Sequence, residues 1–144
     1  MANVIPDSFK TDLLKGTFNF DSSGGSTFKL ALYTDISGLT PSSTAFTTTN
    51  EVSTSGTSYS SGGNTLTNNG VAVGSNIAFV DFADLTFSSV TLSAVGALIY
   101  KSGGSNEAVL VLDFGGTKTA TNGDFVVQFP TASSSAAIIR LGNA

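Results

Sequence analysis

Only one stretch of this chain, Ser8 to Gly16 ("SFKTDLLKG"), carries the apolar spacing of a helix. Elsewhere the apolar side chains alternate in short runs. "FKLALYT" (28–34) sets Phe28, Leu30 and Leu32 on one side and Lys29, Ala31 and Tyr33 on the other, a strand with one face in a core. "AVLVLDF" (108–114) is apolar on both faces, as in a fully buried strand. "DFVVQFP" (124–130) aligns Phe125, Val127 and Phe129. The stretch 75–101 is strand-rich, with Asp81 and Asp84 bracketing a bend. "KSGGSNE" (101–107) reads as a tight turn, "GGTKTATNG" (115–123) as a second turn region with a hairpin signal at Asn122-Gly123, and "AAIIRL" (136–141) as a last strand, at an edge or paired with the N-terminal segment. About eight strands with turn signals roughly every ten residues predict an all-β fold, an antiparallel β-sandwich that is jelly-roll-like.

The helical stretch spans about two turns, too short to stand without docking. Ser8 is its expected cap and Gly16 its expected end, with Phe9, Leu13 and Leu14 on one face. The rival reading is an extended arm that packs on a neighbouring chain. The expected organisation is therefore an N-terminal arm or short helix over 1–20 and a single sandwich over 21–144.

Residues 47–70, "TTTNEVSTSGTSYSSGGNTLTNNG", form a run of 24 residues whose one charge is Glu51. A flexible linker would separate two cores, but the residues before it hold one or two strands and cannot make a core. Val52, Tyr59 and Leu66 punctuate the run and call for burial. It reads as a long excursion pinned at those three positions. Long loops of this kind in compact domains are usually functional or disordered, and an anchored, uncharged one suits contact with another protein.

The exterior must be built largely from hydroxyls and amides. Ser and Thr supply 40 of 144 residues and charged residues only 11%, against roughly 25% in ordinary soluble domains. A net charge of −4 repels neighbours weakly, which favours association. With 6 Lys and Arg spread singly, the balance argues against nucleic-acid binding. No apolar run approaches the ~20 residues of a membrane-spanning helix, and the start does not read as a signal peptide, so no membrane partner is expected.

Catalytic patterns are sparse. Without His or Cys, no Ser-His-Asp triad, thiol nucleophile or His- or thiolate-ligated metal can form. "DFG" at 113–115 reads as a strand ending at a Gly-Gly turn, because the other kinase motifs are missing. Asp81, Asp84, Asp113 and Asp124 lie at strand ends, where a cation is one reading and turn capping the stronger one. No cofactor and no enzymatic activity are expected. Tyr33, Tyr59 and Tyr100 offer rings that could stack on a glycan, and Arg140, inside "AIIRL", either snorkels or meets a carboxylate, with an intersubunit ion pair in view.

"SFKTDLLKG", "FKLALYT", "TTTNEVSTSGTSY", "VDFADLTFSS", "GALIYK", "AVLVLDFGGTKTATNGDFVVQFPT" and "AAIIRL" run, from Ser8 to Leu141, in an order that resembles small proteins encoded by tailed bacteriophages, notably marine and cyanobacterial ones. The resemblance implies a virion structural component, of head or tail, and carries no catalytic residues. A charge-poor all-β chain suits a capsid decoration (cement) protein, assembled in the host cytoplasm and placed on the capsid surface, with the major capsid protein and further copies of itself (a homotrimer or homodimer) as partners. Its expected contacts are Phe9, Leu13, Leu14, Phe18 and Phe20 on a clamping arm, with Glu51, Tyr59 and Arg140. On that reading, deleting 1–20 leaves a folded protein that no longer binds capsids. The alternatives are a tail, neck or baseplate component and a glycan-binding host-attachment module.

Overall fold

The structure, a computed structural model, describes residues 3–143. Met1, Ala2 and Ala144, the outer ends of the expected segments 1–20 and 21–144, lie outside the described residues. The chain folds as an all-β antiparallel sandwich with one short helix. In order these are α1 (Asp7–Leu14), β1 (Phe28–Tyr33), β2 (Asn64–Thr65), β3 (Asn68–Gly74), β4 (Ile77–Phe82), β5 (Leu85–Lys101), β6 (Ala108–Val127) and β7 (Ile139–Leu141). One sheet has the order β2-β1-β5-β6 and the other β3-β4-β7. The connections β2 to β3, β4 to β5 and β6 to β7 each pass from one sheet to the other, so both sheets contribute to one core around Phe28, Leu30, Val80, Phe82, Phe87 and Ile139.

β1 differs from its expected half-buried form. Its second face is also covered, because Ala31 and Tyr33 pack with Ile36, Leu39, Leu98, Tyr100 and Val111 in a separate cluster under the 35–46 loop. The alternation in the sequence gives the two faces of a strand but not what lies over each.

The expected reversal at 115–123 is not made. β6 runs through it against β5, and the turn-forming residues serve β-bulges instead. Gly96 pairs with Asp113 and Ala94 with Lys118, so the segment Phe114–Thr117 stands opposite Val95 alone. Gly115 and Gly116 take φ of 73° and 144° there, and the Asp113 carboxylate accepts the Gly115 N–H at 2.8 Å. A second irregularity lies between Phe87 and Leu92, with Ser89 at φ 55° and Asn122 at φ 46°. Positive-φ residues that close a hairpin also supply a bulge. The described residues accordingly hold seven strands rather than about eight.

α1 forms as expected but is capped differently. It starts after Pro6, and the Ser8 hydroxyl donates to the Ser43 carbonyl at 3.1 Å. Gly16 (φ 79°) does end it, with Thr17 N–H bonded to Asp12 O. Phe9 and Leu13 face the core, whereas Leu14 points away. Phe9, Phe18 and Phe20 are buried. Phe9 meets Phe18 and Phe20 in tilted and edge-on contacts, and Phe18 and Phe20 stack with each other and onto Phe28 of β1, the Phe20–Phe28 centroids being 4.7 Å apart. These three residues are therefore committed to the chain's own core rather than to a free clamping arm, although Phe20 also lines a surface groove. Upstream, Val4 exchanges backbone hydrogen bonds with Val111 of β6. β7 is an edge strand, and it pairs with β4 rather than with the N-terminal segment.

The expected effect of deleting 1–20 changes accordingly. Losing one buried Phe side chain typically costs about 3–5 kcal/mol, and a whole domain holds only about 5–15 kcal/mol. Truncation after residue 20 is expected to abolish the cooperative thermal transition followed by circular dichroism. A truncated chain melting as sharply as the full one, at a similar temperature, contradicts this packing.

Candidate functional site

The excursion is a split strand. Residues 50–52 and 64–66 lie along the same edge of β1. Thr34 N–H bonds to Asn50 O, Val52 N–H to Leu32 O and Leu66 N–H to Phe28 O, and Asn64 pairs with Leu30. Gly63, at φ 73°, lies so close to β1 that a Cβ there would overlap the Leu30 carbonyl. Val52, Tyr59 and Leu66 are all buried, as the three expected anchors.

Between the two pieces, residues 53–62 loop outward, and the neck of that loop is closed by Glu51. Its carboxylate accepts the Tyr59 hydroxyl at 2.8 Å, the Ser61 hydroxyl at 2.8 Å and the Gly62 N–H at 2.6 Å. The Tyr59 oxygen in turn accepts the Leu32 N–H at 3.0 Å. The gap in the strand leaves that amide with no backbone partner, and the phenol supplies one. The other two tyrosines hold the same loop system. Tyr33 donates to Thr47 O at 2.6 Å and Tyr100 to Gly62 O at 2.8 Å. All three tyrosines are buried, so their rings present no face to a glycan, and that use of them is overturned. Tyr59 is likewise closed to an intermolecular contact, and Glu51 spends both carboxylate oxygens inside the chain.

The remaining candidates are dispersed. Asp81 accepts from the Asn69 amide, Asp84 from Phe129 N–H and Asp124 from Ser89 N–H. Among the described residues no three acidic side chains gather as metal ligands do. Arg140 is exposed on β7 and donates to the Ser134 carbonyl at 3.0 Å. A cleft of about 400 Å³ lies beside the bulged part of β6, lined by Phe114, Lys118, Asp124 and Phe125. No helix among the described residues is long and apolar enough to cross a membrane.

One surface stands apart. Cross-strand pairs Val71–Val80–Ile139 and Val73–Ala78–Leu141 form two rows on the core-facing side of the three-stranded sheet. The first row is buried at Val80 and Ile139, but Val71 is 52%, Val73 73% and Leu141 64% exposed. The sheet thus overhangs the core, and its uncovered end forms an almost wholly apolar groove with Leu13 and Phe20. Leu14, 88% exposed, follows Leu13 on the helix. Of the expected contact residues, Leu13 and Phe20 line this groove. Val71, Val73 and Leu141 were missed, because alternation predicts where side chains point but not where the opposing sheet stops.

Glu51→Ala is expected to destabilise the chain by about 2–3 kcal/mol in urea unfolding, since it strands the Tyr59 hydroxyl and the Gly62 amide. Glu51→Gln, which keeps one acceptor oxygen, is expected to cost less. Equal losses for both contradict the network. Burial raises the pKa of Tyr33, Tyr59 and Tyr100 above the ordinary 10.0, with the Glu51 carboxylate adding to the shift. An unfolded phenol ionises through 10.0 while a folded one stays neutral. Stability from these groups is therefore complete below that pH and lost as pH climbs past it. Tyrosinate absorbance and loss of β circular dichroism should rise in one step. Phenols that ionise well before the fold is lost contradict the burial.

No protein-family model, curated protein or solved structure matches the chain.

Proposed function

We propose that this chain is a non-enzymatic structural protein of a tailed-bacteriophage virion, a decoration subunit that stabilises the head by bridging capsid subunits. The observation that carries the reading is the overhang. The sandwich leaves Val71, Val73 and Leu141 in water beside an apolar groove, and such patches mark surfaces that other chains cover. The hydroxyl-rich, charge-poor exterior supports it, because neighbours meet with little charge to desolvate or repel. The virion setting comes from the resemblance of the sequence pattern to small phage proteins. The contact belongs to a rigid sheet end and Leu14, in place of the flexible N-terminal clamp.

A tail, neck or baseplate subunit is the second reading. It is favoured by the open edges β3 and β7 on opposite flanks of one sheet, which suit head-to-tail contacts that close into rings. Immunogold labelling of purified phage particles separates the two. Gold over the head shell is expected, gold confined to the tail selects the second reading, and particles free of label at either place reject both.

A further inference from the structure

The β3–β4 hairpin turns through Ser75 and Asn76, both with positive φ (51° and 66°), the two-residue type I′ form. Its closing pair is Gly74–Ile77, followed by Val73–Ala78, Ala72–Phe79 and Val71–Val80. The closing pair of such a hairpin is hydrogen-bonded and the pairs alternate after it. Gly74 and Ala72 therefore spend their N–H and C=O groups on β4, while those of Val71 and Val73 point out from the sheet. β3 is the last strand on that side. Natural edge strands are usually blunted with charge, proline or a bulge. Here no charged residue occurs from 52 to 80 and β3 has no proline. Its one irregularity, between Asn68 and Gly70, lies outside Val71–Val73.

The edge also reads the same in both directions: Gly70-Val71-Ala72-Val73-Gly74. We propose that a second copy of this chain docks on it, β3 against β3 in antiparallel register about a two-fold axis through Ala72. This deepens the structural-subunit reading and rests on it for the purpose of the contact. In this register each Val71 faces the other copy's Val73, and the two outward-pointing backbone pairs become hydrogen-bonded pairs. Ala72 meets its own symmetry mate at the non-hydrogen-bonded position. Two three-stranded sheets become one of six strands, and the exposed Val71 and Val73 side chains of both copies share a face. A neutral, palindromic segment is self-complementary, so the second copy needs no partner surface of a different chemistry.

The chain has no Cys, so single introduced thiols report the register. The Ala72 mates are expected about 4.5 Å apart between Cα atoms, within disulfide reach, which ends near 7 Å. Purified Ala72→Cys should oxidise rapidly and completely to a covalent dimer. Val71→Cys alone should not, whereas Val71→Cys mixed with Val73→Cys should cross-link. Light scattering should give twice the chain mass for the unmodified protein. It should give the single mass for Val71→Lys/Val73→Lys, which sets like charges opposite each other at two exposed positions and leaves the circular dichroism unchanged. A single chain mass for the unmodified protein across a dilution series, or Val71→Cys cross-linking as fast as Ala72→Cys, overturns the proposal. These readings use the purified chain alone. Failure here leaves the particle labelling standing, and failure of the labelling leaves the dimer standing.

Discussion

The hydrogen bond from the Leu32 amide to the Tyr59 phenol holds the position on which the four-stranded sheet depends. β1 is the hub of that sheet, paired with β5 on one flank and buried on both faces. Its other flank is met by two pieces of one long segment, and the break between them falls beside Leu32. A buried amide left without an acceptor costs roughly 1–3 kcal/mol. Tyr59 fills the break and donates its own hydroxyl hydrogen bond to Glu51, which gathers Ser61 and Gly62 to the same point. A segment of almost pure Ser, Thr, Asn and Gly is thereby fixed as a strand partner by its one charge and one aromatic ring.

The strands and these anchors were legible in the sequence because both rest on local chemistry. Phe28, Leu30 and Leu32 alternate, Asp81 and Asp84 flank the break between β4 and β5, and Tyr59 is too large to leave in water among hydroxyls. What was not legible depends on partners distant in sequence. Gly115-Gly116 and Asn122-Gly123 carry the signature of a reversal, yet their left-handed backbone is spent on bulges. Only the opposing strand distinguishes those outcomes. Phe9, Phe18 and Phe20 look the same in sequence whether they anchor to another chain or pack into the chain's own core. The candidate surface was hidden for a related reason. Val71 and Val80 sit in one cross-strand row, and only the extent of the opposite layer leaves one wet and the other dry.

The two parts of the molecule divide the work of order and contact. The tyrosines, most of the phenylalanines and the single clasping carboxylate are turned inward. Most of the large apolar side chains left outside, Leu14, Val71, Val73, Val126 and Leu141, are aliphatic and held on regular strand or helix backbone. Ordering them at an interface sacrifices little conformational freedom, because Val has few rotamers to lose. A charge-poor rim adds little desolvation cost.

The bonds between Val4 and Val111, most of the chain apart, bear on how the protein is made. The central pairing of Phe28–Tyr33 with Gly96–Lys101 is also remote in sequence, and such non-local topologies fold slowly relative to helical ones. Residues 50–52 and 64–66 reach one flank of β1 early, but β5 must also leave the ribosome before the hub strand has its second neighbour, so the four-stranded sheet closes late. Until then the aromatic N-terminus and the neutral strands stay open together, the state in which nascent copies crowded on one message are most exposed to tangling.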